Sequence, residues 1–234
     1  MRITWFGHSC FRIETGGAVL LIDPFLKNNP TFQAAKIDFA AATKGVTHVA
    51  LTHGHDDHIG DAAEICQTHK APLFATYELA LHVKGKSDIA VQPMNTGGTV
   101  AMPQFALTLT QALHSSSSGG IYLGNPCGIV VKPTADADRA KTVYHMGDTD
   151  VFAGMELVEA LHAPAIGIVP IGDRFTMGAR SAAFACKRFF RFKTVMPCHY
   201  GTFPGMLDAD ASKFVAEMAG HNVVVPTVGA PQDV

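Results

Sequence analysis

The sequence predicts an α+β chain in which two mixed β-sheets pack face to face, with helices on the outer side of each. Three observations lead there. Of 234 residues, 47% are hydrophobic and 16% charged, so a large core can form and much of the chain must lie in buried elements. Strand-like segments come first and are followed by strands alternating with helices. That order of elements occurs roughly twice, around residues 1–115 and 120–225. Each half then needs its own sheet, and two such sheets bury their apolar faces by stacking. No linker separates the halves, which predicts one domain spanning residues 1–234.

The elements follow in order. Arg2 to Phe6, Phe11 to Glu14 and Ala18 to Ile22 read as strands, with Gly7-His8-Ser9-Cys10 joining the first pair and Thr15-Gly16-Gly17 turning a hairpin. Asp23-Pro24 stops the third strand. Phe25 to Gly45 has no clear period and reads as a long loop of the kind that walls a pocket. Val46 to Leu51 is a strand, Ile59 to His69 a helix, Pro72 to Ala75 a strand, Tyr77 to Val83 a helix and Ile89 to Met94 an extended segment. Phe105 to Leu113 alternates Phe105, Leu107 and Leu109 with Thr108 and Thr110, the period of a half-buried strand. Gly128 to Lys132, Thr142 to Met146, Ala165 to Pro170 and Thr194 to Pro197 read as strands, and Asn222 to Val225 as the last one. Met155 to Leu161, Ala179 to Arg191 and Ala209 to Ala219 read as helices.

One stretch organises the rest. Between His53 and Asp61, nine residues hold three histidines and three acids, set between an apolar strand and a helix. Imidazole nitrogens with a carboxylate suit zinc first, and other first-row divalent ions after it. His53 and His55 are two apart, so in an extended segment they face the same way and can grip one ion together. Asp57 and His58 fall where the chain turns into the helix and can face a second position nearby.

His114, Asp148 and His199 share one context. Each directly follows an apolar strand and precedes small or polar residues, the way sites are assembled from strand ends along a sheet edge. His48, His69, His82, His145, His162 and His221 stand in no comparable setting and read as structural or surface residues.

His53-x-His55-x-Asp57-His58, with His114, Asp148 and His199 after it, resembles the metallo-β-lactamase superfamily over essentially the whole chain. Gly7-His8-Ser9-Cys10-Phe11, Leu21-Ile22-Asp23-Pro24, Gly147-Asp148-Thr149, Phe175-Thr176-Met177-Gly178 and His199-Tyr200-Gly201-Thr202 resemble its short stand-alone metal-dependent hydrolases, similar to the ascorbate-6-phosphate lactonase branch but smaller. The resemblance implies a four-layer αβ/βα sandwich with two divalent ions at the edge between the sheets. His53, His55 and His114 would hold the first ion and Asp57, His58 and His199 the second, with Asp148 bridging. Zinc is the default, while manganese, iron or nickel fit the same residues. Two ions sharing a hydroxide would attack a small ester, lactone, thioester or phosphodiester, and Asp57 would orient that hydroxide. Asp23 is expected to hold a ligand histidine in its tautomer. His8 is a candidate for substrate contact or proton donation to the leaving group. Tyr200 is a candidate acid or pocket wall, and Arg174 a candidate anion contact that departs from the short-hydrolase pattern.

Composition narrows the alternatives. A net charge of −2 and a pI near 6.6 exclude the basic footprint of a nucleic-acid binder, so a nuclease is disfavoured and a small-molecule substrate expected. A redox di-iron protein would prefer a carboxylate at His55. A metal sensor without turnover would close its site, whereas Asp57 and Asp148 leave room for solvent. Five cysteines with no C-x-x-C pair argue against a disulfide framework. The first residues form no signal-peptide core, and no apolar run nears the ~18 residues of a membrane span. A cytoplasmic, membrane-free protein is the expectation, with homo-oligomerisation left open.

Overall fold

A computed structural model describes residues 1–234. The first half contains β1 (Arg2–Trp5), β2 (Phe11–Thr15), β3 (Ala18–Ile22), α1 (Pro30–Ala34), α2 (Phe39–Thr43), β4 (His48–Ala50), α3 (Asp56–Ile59), α4 (Ala62–His69), β5 (Leu73–Thr76), α5 (Tyr77–Lys86), β6 (Val91–Met94), β7 (Thr99–Ala101) and β8 (Phe105–Gln111). A small hairpin, β9 (Ser117–Ser118) and β10 (Ile121–Tyr122), leads to β11 (Cys127–Pro133) and β12 (Val143–His145). Then follow α6 (Met155–His162), β13 (Ile166–Pro170), α7 (Ala179–Phe189), β14 (Thr194–Cys198), α8 (Ser212–Glu217) and β15 (Pro231–Asp233).

Two mixed sheets form. The first has seven strands in the order β15-β1-β2-β3-β4-β5-β6, and the second has six in the order β14-β13-β12-β11-β8-β7. In each, antiparallel pairing gives way to parallel pairing, at β3 in the first sheet and at β12 in the second. This shared plan is the physical content of the repeated element order.

Strand period explains the layering. In β3, Leu20 and Ile22 join a 40-residue buried cluster between the sheets, while Leu21 joins a 20-residue cluster under the first sheet's helices. Both faces of that strand are therefore buried. On the second sheet α7 turns Ala182, Ala183 and Cys186 inward, as its amphipathic sequence requires, and Lys187 and Arg188 outward. The result is the predicted sandwich of two sheets between helices.

Several elements differ from expectation. Phe25 to Gly45 is not featureless. Asn29 caps α1, its side chain accepting from the Thr31 and Phe32 amides, with Pro30 at the first position. Asp38 caps α2 by accepting from the Ala41 amide. The helix expected over Ile59 to His69 is two helices broken at Gly60, whose φ is +42°. The Asp61 carboxylate holds that break by accepting from the Leu26 and Lys27 amides, both at 2.9 Å. In β8 the polar face is covered as well, with Thr108 and Thr110 8% and 7% exposed. Asn222 to Val225 makes only an isolated bridge between Val223 and Val195, and the last strand is β15, paired with β1. Its proline sits at an edge, where a missing amide costs no ladder bond.

This topology sets the site. β1 and β3 run the same way, because each is antiparallel to β2, and β4 is parallel to β3. By the same reasoning β8, β12 and β14 share a direction. The residues that follow these strands therefore emerge along one edge of each sheet.

Candidate metal centre

His8 follows β1, Asp23 follows β3, and the run from His53 to His58 follows β4. His114, Asp148 and His199 follow β8, β12 and β14. The fold brings all of them together. The ligand atoms of His53, His55 and His114 lie within 4.8 Å of one another, as do those of Asp57, His58 and His199, which His8 joins. His53, His58 and Asp148 form a third, overlapping group. Asp148 is central, with Oδ2 3.0 Å from His199 Nε2, 3.3 Å from His58 Nε2 and 3.6 Å from His114 Nε2.

Outer residues fix the orientation of these rings. Asp23 is fully buried, and its Oδ1 accepts from the Thr52 amide at 2.8 Å. Its Oδ2 accepts from the Thr52 hydroxyl at 2.6 Å and lies 2.8 Å from His58 Nδ1. An ionised carboxylate only accepts, so His58 donates from Nδ1 to Asp23 and its Nε2 points into the cluster, where a bound cation would take the place of a proton. The Thr52 hydroxyl also reaches His53 Nδ1 at 3.0 Å, and the Ser115 hydroxyl reaches His55 Nε2 at 3.1 Å. That leaves His53 Nε2 and His55 Nδ1 facing each other at 2.9 Å. His8 Nε2 lies 3.1 Å from Asp57 Oδ2, and its Nδ1 lies 3.1 Å from the Thr202 hydroxyl.

The backbone is held in uncommon conformations here. His8, Asp23 and His199 have φ of 52°, 46° and 58°, a left-handed region that costs side-chain-bearing residues energy and clusters at functional sites. Fixed partners over-determine them. The His8 carbonyl accepts from Trp5 Nε1 at 2.8 Å and from the His199 amide at 3.0 Å. Gly172 lets the chain pass His199 closely, since a Cβ there would stand 2.1 Å from the His199 carbonyl oxygen. His145, fully buried, accepts the Gly147 amide at Nδ1 and lies 3.1 Å from the Ser9 carbonyl, which steadies the turn into Asp148.

The chemistry of the cluster fits cations. Burial pushes the His53 and His114 imidazoles down, so they stay neutral with lone pairs available. Burial pushes the Asp148 carboxyl up, but the facing His199 and His58 outweigh it and hold the group well below the usual carboxylate range. Burial likewise lowers His58, and the carboxylates of Asp148 and Asp23 override it, raising the ring well above its ordinary value. His58 Nε2 and Asp148 Oδ1 are buried without a hydrogen-bond partner. Buried polar atoms need a partner, and a divalent ion among these donors supplies one.

Two expected pocket residues lie elsewhere. Tyr200 is 7% exposed and stacks on Trp5 with ring centroids 5.1 Å apart, so its ring belongs to the core. Arg174 is exposed, its guanidinium 5.5 Å from the centre of the Phe175 ring, and it does not line the cleft. Most of Phe25 to Thr43 also stays away from the cleft, folded into α1 and α2. The cleft is walled by Ser115 and Phe175, from the two stretches expected there, the serines after His114 and Gly172 to Gly178, and by Phe203 and Met206. Phe203 and Met206 were not singled out from sequence. The available signal was two large apolar residues in a Gly- and Pro-rich loop just after a ligand histidine.

Comparison with known proteins shows the family. Residues 2–199 match the β-lactamase superfamily domain. A UPF0173 metal-dependent hydrolase of Methylocella silvestris is 49% identical over 235 residues, covering 98% of each chain. The chain belongs to the UPF0173 metal-dependent hydrolase family of the β-lactamase superfamily. Another UPF0173 member, from Chelativorans sp., is 51% identical and covers all of this chain and 99% of its own. Among solved structures, Igni18, a metallo hydrolase from Ignicoccus hospitalis, superposes with a TM-score of 0.87 at 33% identity, covering 99% of this chain and 97% of that one. A protein described as a possible metal-dependent hydrolase of Veillonella parvula shares the fold, with a TM-score of 0.78 at 19% identity over 100% and 99% of the two chains. In this UPF0173 member no helix is long and apolar enough to cross a membrane, and all five cysteines are free and buried.

Proposed function

We propose that this UPF0173 member is a binuclear metal-dependent hydrolase of a small ester, lactone, thioester or phosphodiester. One observation carries the reading: two groups of three ligand atoms, His53/His55/His114 and Asp57/His58/His199, sit side by side with Asp148 between them. The first group would hold one ion and the second group the other, with Asp148 reaching both. Five imidazoles and two carboxylates suit zinc first, with manganese, iron or nickel as substitutes. Such a pair of ions lowers the pKa of water toward neutrality and polarises the oxygen under attack.

The chain's own residues supply orientation. Asp23 holds the tautomer of His58. The His8 ring fixes the Asp57 carboxylate, which is 32% exposed and faces the cleft. Burial, followed by repulsion from nearby His199, lowers His8 to about 4, so at neutral pH it is a neutral ring that donates from Nε2 to the Asp57 carboxylate and is held at Nδ1 by the Thr202 hydroxyl. The free buried thiols support a reducing compartment such as the cytoplasm.

The test is elemental analysis of protein purified without chelator, followed by assay on p-nitrophenyl acetate and bis(p-nitrophenyl) phosphate with added zinc or manganese. Near two ions per chain with metal-dependent turnover is the expected result. His55→Ala should then lower metal content and abolish turnover in a folded protein. Two tightly held ions in that variant would refute the ligand assignment, and no metal under any reconstitution would refute the central reading.

A further inference from the structure

The cleft that opens onto the ligand cluster has a volume of about 410 Å³, at the small end of the range typical of small-molecule sites. Its walls beyond the ligands are one serine and three apolar side chains, with no lysine or arginine. Phe203 is the anchored part: its ring packs edge-on to His8 at 5.4 Å and lies 6.4 Å from the Phe25 ring. Phe175 and Met206 come from different loops, after β13 and β14, and each is 45% exposed. A single exposed hydrophobe is ordinary. Here three converge on one concavity beside a cluster of catalytic type, where covering them with an apolar group would remove their surface from water.

Charge points the same way. A site that selects a phosphate or carboxylate tail supplies guanidinium or ammonium donors for it. The guanidinium of Arg174 lies against Phe175 outside the wall. The ions would engage the scissile centre itself, which leaves the rest of the substrate facing Phe175, Phe203 and Met206.

We propose that this cleft selects substrates whose group beside the scissile bond is uncharged and apolar: a medium-chain acyl ester, lactone or thioester. Substrates with a phosphorylated or carboxylate-bearing substituent are disfavoured, the phosphorylated lactone of the resembling lactonase branch among them. The inference rests on the hydrolase reading above and narrows its substrate class.

The experiment compares p-nitrophenyl acetate, p-nitrophenyl octanoate and mono-p-nitrophenyl glutarate on the metal-loaded protein. Calorimetric binding of octanohydroxamate against acetohydroxamate runs alongside. The octanoyl ester should show a kcat/KM at least about tenfold above the acetyl ester and further above the glutaryl ester, and octanohydroxamate should bind at least about tenfold tighter. Phe175→Ala and Met206→Ala, both at half-exposed positions, should raise the octanoate KM about tenfold with metal content unchanged. Arg174→Ala should leave the order of the three esters unchanged. Acetyl turnover without an octanoyl preference, or a glutaryl preference lost in Arg174→Ala, would overturn the substrate class and leave the hydrolase reading standing. Metal-loaded protein that turns over neither these esters nor bis(p-nitrophenyl) phosphate and binds neither hydroxamate would overturn both.

Discussion

At the scale of single residues, the candidate site depends on side chains that orient the proposed ligands without binding an ion themselves. Asp23 takes three donors and sets the direction of His58 Nε2. In Asp23→Asn the amide keeps the shape and loses the charge, and its NH2 group faces donors. Removing such a support typically costs 10–100-fold in metal affinity. We expect that loss for one of the two ions, read by competition with a chromophoric chelator. His8 behaves differently. It meets Asp57 and Thr202 from within the core, at 0% exposure. His8→Ala should retain both ions by elemental analysis and slow turnover by about 10²-fold, because Asp57 loses the partner that orients it. Unchanged rates on every accepted ester would assign His8 to packing alone.

At the scale of elements, the break between α3 and α4 matters more than either helix. Gly60 sits at φ +42°, and a Cβ there would stand 2.5 Å from Phe25 Cα and 2.6 Å from the Pro24 carbonyl oxygen. Backbone cannot yield as a flexible side chain does. Gly60→Ala should therefore combine left-handed strain of about 1–2 kcal/mol with overpacking of about 1–3 kcal/mol. Gly45→Ala is the control, since Gly45 has φ +70° but nothing within 4 Å of the added methyl. Denaturant melts should show the Gly60 variant clearly less stable than the Gly45 variant. Equal midpoints would mean that the Pro24–Phe25 segment moves aside. Because Asp61 pins that segment to the helix break, the Gly60 variant should also bind metal more weakly through Asp57 and His58.

At the scale of the molecule, the two sheets are joined at both edges. On one edge the ligand cluster brings three buried histidines and Asp148 together. A divalent ion that binds only the folded state stabilises it by RT ln(1 + [L]/Kd), about 4 kcal/mol at a thousandfold excess over Kd. Chelator should lower Tm by several degrees, and added zinc should restore it. At the opposite edge Asp138, on the loop between β11 and β12, accepts from the Thr15 hydroxyl at 2.7 Å and from the Met1 ammonium at 2.7 Å, and pairs with Lys141 at 3.1 Å. Burial raises that carboxyl, but these donors outweigh it and bring it down to about 2. A carboxyl lowered on folding contributes stability above its ordinary pKa of about 4 and loses it as pH falls through about 2. The stability gap between the wild type and Asp138→Asn should therefore be full at pH 5 and close towards pH 2. A gap that does not change with pH would mean that the clip works by packing.

The sequence by itself determined the layers and the ligand types. Period-two alternation and the repeated order of elements specify two buried sheets, because burial must match strand geometry wherever the chain lies. The candidate ligands His53, His55, Asp57 and His58 are readable because their spacing is local, and His114, Asp148 and His199 because each follows a strand. Tertiary structure decided the rest. That Tyr200 meets Trp5, that Phe203 and Met206 face the cleft, and that Arg174 does not, depends on how loops from different strands cross at one edge. Adjacent positions on such a loop point to core or solvent according to backbone angles that side-chain chemistry specifies only weakly. The left-handed turns at His8, Asp23 and His199 belong to the same class. They are imposed by partners distant in sequence, such as the His199 amide on the His8 carbonyl and Gly172 beside His199, against local preference, and so no local pattern announces them.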